Sequence, residues 1–229
     1  MASFITLTAA DGFKLPAYLA EPTGQPRGAV VVLQEIFGVN AHIQDVAQRF
    51  AAEGYLAIAP ATFERVQAGV DLGYDDAGMQ GGSALKAAVT DLPGAGVMQD
   101  IQAAIDYVAR LSGGKVGIVG FCWGGLLTWQ AACTLKGLSA AVPYYGGGMT
   151  APAEIARQPQ CPVLAHFADT DSYIPMDGVA AFTSAHPEVA VHIYPGHHGF
   201  NCDQRGSYNA AAATAAQVRT LAFFAEQLA

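Results

Sequence analysis

The amino-acid sequence predicts an α/β fold in which helices cover a mostly parallel sheet. Short apolar segments alternate along the chain with segments of helical periodicity, which is the pattern of such a sheet. Two of them, residues 29–33 and 116–119, are apolar throughout, as expected for strands that are covered on both faces. Eight strands are predicted, at residues 4–8, 14–19, 29–33, 55–59, 116–119, 140–145, 163–167 and 189–194.

Helical periodicity separates most of these strands. The first two strands, joined by Ala10-Asp-Gly12, are predicted to form an antiparallel hairpin at the sheet edge. Helices are predicted at residues 42–53, 98–111, 123–135, 177–185 and 209–228. In the last helix, Val218, Leu221 and Phe224 are the expected buried stripe. The irregular, glycine-rich segment 64–93 is expected to cover a binding site.

Composition narrows the class of protein. The chain has 229 residues, of which 52% are hydrophobic and 13% charged, which predicts a single globular domain over residues 1–229. A net charge of −8 disfavours binding to nucleic acid or to an anionic membrane. The first residues lack the pattern of a signal peptide, and the four cysteines form no Cys-x-x-Cys pair. We therefore expect a cytoplasmic protein with free thiols.

The segment Lys115-Val-Gly-Ile-Val-Gly-Phe-Cys-Trp-Gly-Gly125 carries the strongest chemical signal. An apolar strand runs into Cys122 and a helical pattern follows, which is the arrangement of a nucleophile elbow. Gly120 and Gly124 provide the small residues that the sharp turn requires. The helix N-terminus favours the reactive thiolate and directs the Trp123 N–H toward a developing oxyanion. The alternative is a buried cysteine in a glycine-rich turn, and the flanking strand and helix favour the catalytic interpretation.

A nucleophile of this kind requires a base and an acid that orients the base. In enzymes with this elbow, the order along the chain is nucleophile, acid, histidine. Asp171 follows a predicted strand and is the preferred acid, with Asp169 as the second choice, interpreted as a solvated turn residue. His198 is preferred to His197 as the base, in a glycine-rich loop after the last strand. The other histidines are assigned structural positions: His42, His166, His186 and His192.

The loop Gln34-Glu-Ile-Phe-Gly38 follows the third predicted strand and is expected to supply the second oxyanion donor, the Ile36 N–H. Glu35 is unusual there, because a carboxylate at the end of a buried strand is costly unless it is paired. Glu35 is either a hydrogen-bonded structural acid or a group that contacts the Cys122 thiol.

A metal site is a further alternative, since His197, His198, Cys202 and Asp203 are close in sequence. No second Cys/His pair has the required spacing, and His-Glu-x-x-His is absent from the sequence. We therefore expect no metal.

Together these residues resemble the dienelactone hydrolase family, also called carboxymethylenebutenolidases, over nearly the whole chain. The motifs that carry the resemblance are Gln34-Glu-Ile-Phe-Gly-Val-Asn40, the elbow around Cys122, Tyr144-Tyr-Gly146, Asp171 before Ile174-Pro175, and His198-Gly-Phe200. The resemblance implies an α/β-hydrolase fold without a large cap domain. It also implies that Cys122, Asp171 and His198 form a triad, that Glu35 contacts the resting thiol, and that a lactone is hydrolysed through an acyl-thioester. It implies no cofactor.

The chain departs from this family in its cationic residues. The best-known members bind the substrate carboxylate with two arginines, one from the segment after the fourth strand and one just after the catalytic histidine. Here that segment has Arg65 early and Lys86 late, with no arginine between them, and Arg205 lies seven residues after His198. Arg205 and Phe37 are the predicted substrate-binding residues.

The expected partner is a small ester or lactone, with the protein a monomer or a small homo-oligomer. Two other functions stay open: a general carboxylesterase or thioesterase on the same scaffold, and a non-catalytic binding or redox-sensing relative.

Overall fold

The computed structural model describes residues 1–94 and 96–229, and the strands of this part of the chain form an eight-stranded sheet. The strands are β1 (Ala2–Thr8), β2 (Lys14–Ala20), β3 (Ala29–Leu33), β4 (Leu56–Pro60), β5 (Val116–Phe121), β6 (Leu138–Tyr144), β7 (Leu164–Ala168) and β8 (Ala190–Tyr194). Their order is β1-β2-β4-β3-β5-β6-β7-β8. The pairings β1–β2 and β2–β4 are antiparallel and the others are parallel. The predicted α/β architecture and edge hairpin are confirmed.

Seven helices flank the sheet in the described residues: α1 (Ala41–Ala52), α2 (Asp76–Thr90), α3 (Val97–Ser112), α4 (Trp123–Thr134), α5 (Pro152–Ile155), α6 (Met176–Ala185) and α7 (Ala210–Gln227). The five predicted helices are found with ends shifted by one residue at most. Strands β3, β4 and β5 are buried at every position, as their apolar sequences predict. No helix in residues 1–94 and 96–229 is both long and apolar enough to span a bilayer.

The predicted buried stripe of α7 is partly wrong. Phe224 is fully buried, but Val218 is 61% exposed. The helix packs instead through small residues at four-residue steps, Ala212, Ala216 and Thr220, which lead to Phe224. Val218 is two positions from this line and therefore about 200° around the helix axis.

Segment 64–93 is more regular than predicted, because α2 occupies half of it. Asp75 caps the helix by accepting a hydrogen bond from the Gly78 N–H at 2.8 Å. Gly82 packs directly on the loop after β3: a methyl group there would lie 2.2 Å from the Ile36 carbonyl oxygen. Because glycine lowers intrinsic helix propensity, the sequence of this segment does not predict α2. In the folded protein the same glycine permits close approach of two backbone segments.

Candidate active site

Cys122 lies between the end of β5 and the start of α4, in a backbone conformation that residues other than glycine rarely adopt. Its φ is 56° and its ψ is −116°. The turn is held by hydrogen bonds from the Cys122 N–H to the Tyr144 carbonyl at 3.1 Å and from the Gly125 N–H to the Cys122 carbonyl at 3.0 Å. The thiol is thus presented at a sharp, strained strand–helix turn.

The neighbouring glycines are needed for this turn. A methyl group at Gly120 would lie 2.2 Å from the Gly124 carbonyl oxygen, and one at Gly124 would lie 2.4 Å from the Gln34 carbonyl oxygen. The expectation that both positions require the smallest residue is confirmed, and Gly124 also brings the Gln34–Gly38 loop against the elbow.

His198 and Asp171 form a buried pair beside Cys122. His198 Nδ1 lies 2.7 Å from Asp171 Oδ2, while Asp171 Oδ1 accepts a hydrogen bond from the Tyr173 N–H at 2.8 Å. Because Nδ1 is bonded to the carboxylate, Nε2 is the ring nitrogen left for Cys122, whose thiol lines the same cavity as His198. The three residues that the sequence selected as nucleophile, acid and base are therefore brought together.

Burial by itself lowers the pKa of His198. The hydrogen bond with Asp171 and the interactions with Cys122 and the Asp171 carboxylate outweigh burial and raise the pKa to about 9. The imidazole ring is therefore protonated at neutral pH.

The second-choice residues occupy exposed positions. Asp169 Oδ1 accepts hydrogen bonds from the Gly196 N–H at 3.1 Å and from the Thr170 hydroxyl at 2.7 Å. His197 Nδ1 lies 3.1 Å from the Thr170 carbonyl oxygen. These contacts fix the loop that carries His198, as the interpretation of Asp169 as a turn residue predicts.

Two backbone N–H groups are available to an oxyanion next to Cys122. Within the described residues, neither the Ile36 N–H nor the Trp123 N–H has a hydrogen-bond acceptor. Both residues line the same cavity as Cys122 and His198. The Trp123 ring stacks on Phe63 with a centroid distance of 4.8 Å and an interplanar angle of 7°, so this side of the cavity is packed against a second aromatic ring.

Glu35 and Arg205 form an ion pair near Cys122. Arg205 Nη1 donates to Glu35 Oε1 at 3.1 Å, and the Glu35 side chain is 1% exposed. The guanidinium carbon lies 5.8 Å from the Phe37 ring centre and 5.9 Å from that of Tyr74, so Arg205 is also held by aromatic faces. Arg205 therefore reaches the site.

The cavity at the site has a volume of about 130 Å³. The residues that line it are Ile36, Phe37, Met79, Ser83, Lys86, Cys122, Trp123, Gly147, Tyr173, His198 and Arg205. Met79, Ser83 and Lys86 come from one face of α2, at steps of four and three residues. All three residues belong to segment 64–93, which is expected from the sequence to cover a binding site, but none of them is among the predicted site residues. The sequence signal for these residues is their helical spacing after the capping residue Asp75, which predicts that they share one face of a helix.

Other polar residues near this segment serve the fold. Arg65 donates to Asp100 at 2.7 Å and to Asp11 at 2.7 Å, and its side chain is 13% exposed. Arg65 is thus committed to a structural ion-pair network and does not line the cavity.

The four residues considered for a metal have separate partners. His198 is bonded to Asp171, whereas Asp203 lies 3.2 Å from His42 Nδ1 and 2.6 Å from Arg49 Nη2. Among the described residues, these four form no common cluster of potential ligands.

The chain is similar to proteins of one known family. A family model described as "Dienelactone hydrolase family" matches residues 15–228. The chain is 37% identical to a protein of Synechocystis sp. named "Putative carboxymethylenebutenolidase", with 95% of this chain and 94% of that protein covered. It is 32% identical to the carboxymethylenebutenolidase of Pseudomonas putida, with 96% and 95% covered.

A solved structure supports the same assignment. The "Putative Dienelactone Hydrolase" of Klebsiella pneumoniae superposes with a TM-score of 0.83 and is 32% identical, with 99% of this chain and 98% of that chain covered. The predicted α/β-hydrolase fold is thereby confirmed.

Proposed function

Since the chain belongs to the dienelactone hydrolase family, we propose that it hydrolyses a small carboxylate-bearing lactone or ester through an acyl-thioester on Cys122. Membership makes it an ester- or lactone-cleaving hydrolase. The cysteine mechanism is supported chiefly by one arrangement: a strained Cys122 at a helix N-terminus beside the buried His198–Asp171 pair.

In the first half of the reaction, the Cys122 thiolate attacks the carbonyl carbon of the substrate. The carbonyl π electrons move to oxygen, and the Ile36 and Trp123 N–H groups stabilise the oxyanion. When the tetrahedral intermediate collapses, the C–O bond to the leaving oxygen breaks. Protonated His198 gives its proton to that oxygen, so a lactone ring opens to a hydroxyl while the acyl group stays on sulfur.

In the second half, neutral His198 removes a proton from a water molecule, which attacks the thioester carbonyl. Collapse of this intermediate breaks the C–S bond and releases a carboxylic acid. Cys122 returns as a thiolate and His198 is again protonated. Asp171 holds the imidazole tautomer and orientation through both halves.

The proposed carboxylate of the substrate is bound by Lys86. Arg205 lines the cavity but is already paired with Glu35, so its positive charge is largely compensated. Lys86 lines the same cavity, and within the described residues it has no ion-pair partner. A lysine without an ion-pair partner in the lining of a cavity favours an anionic substrate.

The experiment that tests the nucleophile compares Cys122→Ala with Cys133→Ala, which removes a buried thiol of α4 outside the cavity. Hydrolysis of an activated aryl ester should be lost in Cys122→Ala and kept in Cys133→Ala. Mass spectrometry of the quenched unsubstituted enzyme should show an acyl group on the peptide that contains Cys122. Normal turnover by Cys122→Ala would refute the mechanism.

A further inference from the structure

Behind the proposed catalytic site, three side chains with different metal-binding atoms converge in the protein interior. Glu35 and His42 are each 1% exposed and Cys202 is 0% exposed. One potential ligand atom from each lies within 4.8 Å of the other two. Glu35 comes from the loop after β3, His42 from α1, and Cys202 from the loop before α7. Three separate segments of the chain therefore build this cluster.

Two atoms of the cluster have no hydrogen-bond partner in the part of the chain that the structure describes, Glu35 Oε2 and His42 Nε2. Glu35 Oε1 accepts from Arg205, which leaves Oε2 free. His42 Nδ1 lies 3.2 Å from Asp203 Oδ1, so Nδ1–H donates to that carboxylate and the lone pair is on Nε2. Buried lone pairs without a donor are costly, and a cation removes that cost.

We propose that Glu35, His42 and Cys202 form a buried binding site for one divalent cation of the Zn²⁺ class. A carboxylate oxygen, an imidazole nitrogen and a thiolate sulfur are the three ligand types that Zn²⁺ takes, whereas the thiolate disfavours Mg²⁺ and Ca²⁺. Water completes a tetrahedral shell. The Asp203–His42 contact has the arrangement that orients metal-bound histidines, and Arg49 holds Asp203 in turn.

Binding requires two local changes. Burial raises the pKa of Cys202 to about 12, so the thiol gives its proton to solvent as the sulfur–metal bond forms. Ligand atoms on a tetrahedral Zn²⁺ are roughly 3.5 Å apart, so the three side chains move closer by on the order of 1 Å. Asp203 contacts His42 and its side chain is 37% exposed, so the cluster lies one side chain away from solvent on this side.

The test uses Co²⁺ as the probe, because a Co²⁺–thiolate bond gives a charge-transfer absorption band. The protein carries Cys122→Ala, so that the proposed nucleophile cannot supply the thiolate. One equivalent of Co²⁺ should produce the band, and Zn²⁺ should abolish it. Adding Cys202→Ala should remove the band, whereas adding Cys133→Ala, a matched buried thiol, should leave it unchanged.

A milder variant keeps all three ligands. In the Cys122→Ala protein, Asp203→Ala should weaken Co²⁺ affinity about 10- to 100-fold, because the His42 ring loses its orienting partner. Thermal unfolding without metal establishes that each variant is folded. The proposal is overturned if Cys122→Ala shows no thiolate band at one equivalent of Co²⁺, or if the band survives Cys202→Ala. Neither readout depends on hydrolysis, so the cysteine mechanism is judged separately.

Discussion

Arg205 and Glu35, 170 positions apart in the sequence, meet at 3.1 Å behind the candidate nucleophile. The Glu35 carboxylate is buried, and Arg205 lines the cavity. The positive charge of Arg205 is therefore compensated by Glu35 before any substrate binds. This pairing leaves Lys86 as the lining cation without a partner in the described residues. Substrate charge selection is therefore expected to come from α2.

Removal of the Arg205 charge should lower the free energy of unfolding, because the buried Glu35 carboxylate loses its partner. Arg205→Gln is expected to destabilise the protein by about 3–5 kcal/mol, because it leaves Glu35 charged and unpaired in the interior. Urea unfolding measures the loss. The double variant Arg205→Gln/Glu35→Gln should recover most of it. Arg157→Gln, which breaks the more exposed pair with Glu154, is the control and should cost at most about 1 kcal/mol.

Substrate charge is tested at Lys86. Lys86→Met should lower kcat/KM for a carboxylate-bearing lactone roughly 10- to 100-fold, the value of a hydrogen bond to a charged group. The rate with a neutral lactone of equal size should stay the same. Lys136→Met changes an exposed lysine and is the matched control. Equal losses on the charged and neutral lactones would show that Lys86 does not recognise the carboxylate.

Asp171 is tested against its neighbour Asp169. Asp171→Asn should lower kcat by roughly 10³- to 10⁴-fold, since an amide neither stabilises protonated His198 nor fixes the tautomer of the neutral ring. KM should change little. Asp169→Asn should keep activity within a few-fold, because this exposed side chain bonds to Thr170 and Gly196 and not to His198, and an asparagine oxygen still accepts those two hydrogen bonds. A larger loss of kcat in Asp169→Asn than in Asp171→Asn would assign the role of the acid to Asp169.

The protonation of His198 predicts how stability depends on pH. Its pKa is about 9 in the folded protein against an ordinary value of 6.5. The folded state thus holds the proton more tightly, and the resulting stabilisation is fully present below pH 6.5 and is lost as the pH rises through 9. This loss is on the order of 3 kcal/mol.

Denaturant unfolding across this pH range provides the measurement. The stability difference between the unsubstituted protein and His198→Gln should shrink as the pH rises. His197→Gln changes the adjacent exposed histidine and should leave the pH profile unaltered. A constant difference between the unsubstituted protein and His198→Gln from pH 6 to 10 would contradict the assignment of a protonated His198.

Much of the fold and the order of the candidate residues follow from the sequence alone. The alternation of apolar and helical segments specifies the strands and five helices, because side-chain periodicity is a local property. The turn at Cys122 is also local, since the glycines two positions before and after Cys122 predict it from five residues, and the structure shows the positive φ that the turn requires. The positions of Asp171 and His198 after later strands follow from the same pattern, because parallel strands end at one edge.

Other features depended on packing between distant segments. Helix α2 was hidden because Gly78 and Gly82 lower its local propensity. Both glycines permit close backbone approach, Gly78 to the Gly73 carbonyl and Gly82 to the loop after β3. The orientation of α2 then places Lys86 in the cavity. The Arg205–Glu35 pair and the Glu35–His42–Cys202 cluster likewise join elements far apart in the chain. The order of nucleophile, acid and base along the chain and the turn at Cys122 follow from the sequence. Which charged side chains meet depends on tertiary packing, because side-chain proximity across segments has no periodic signature.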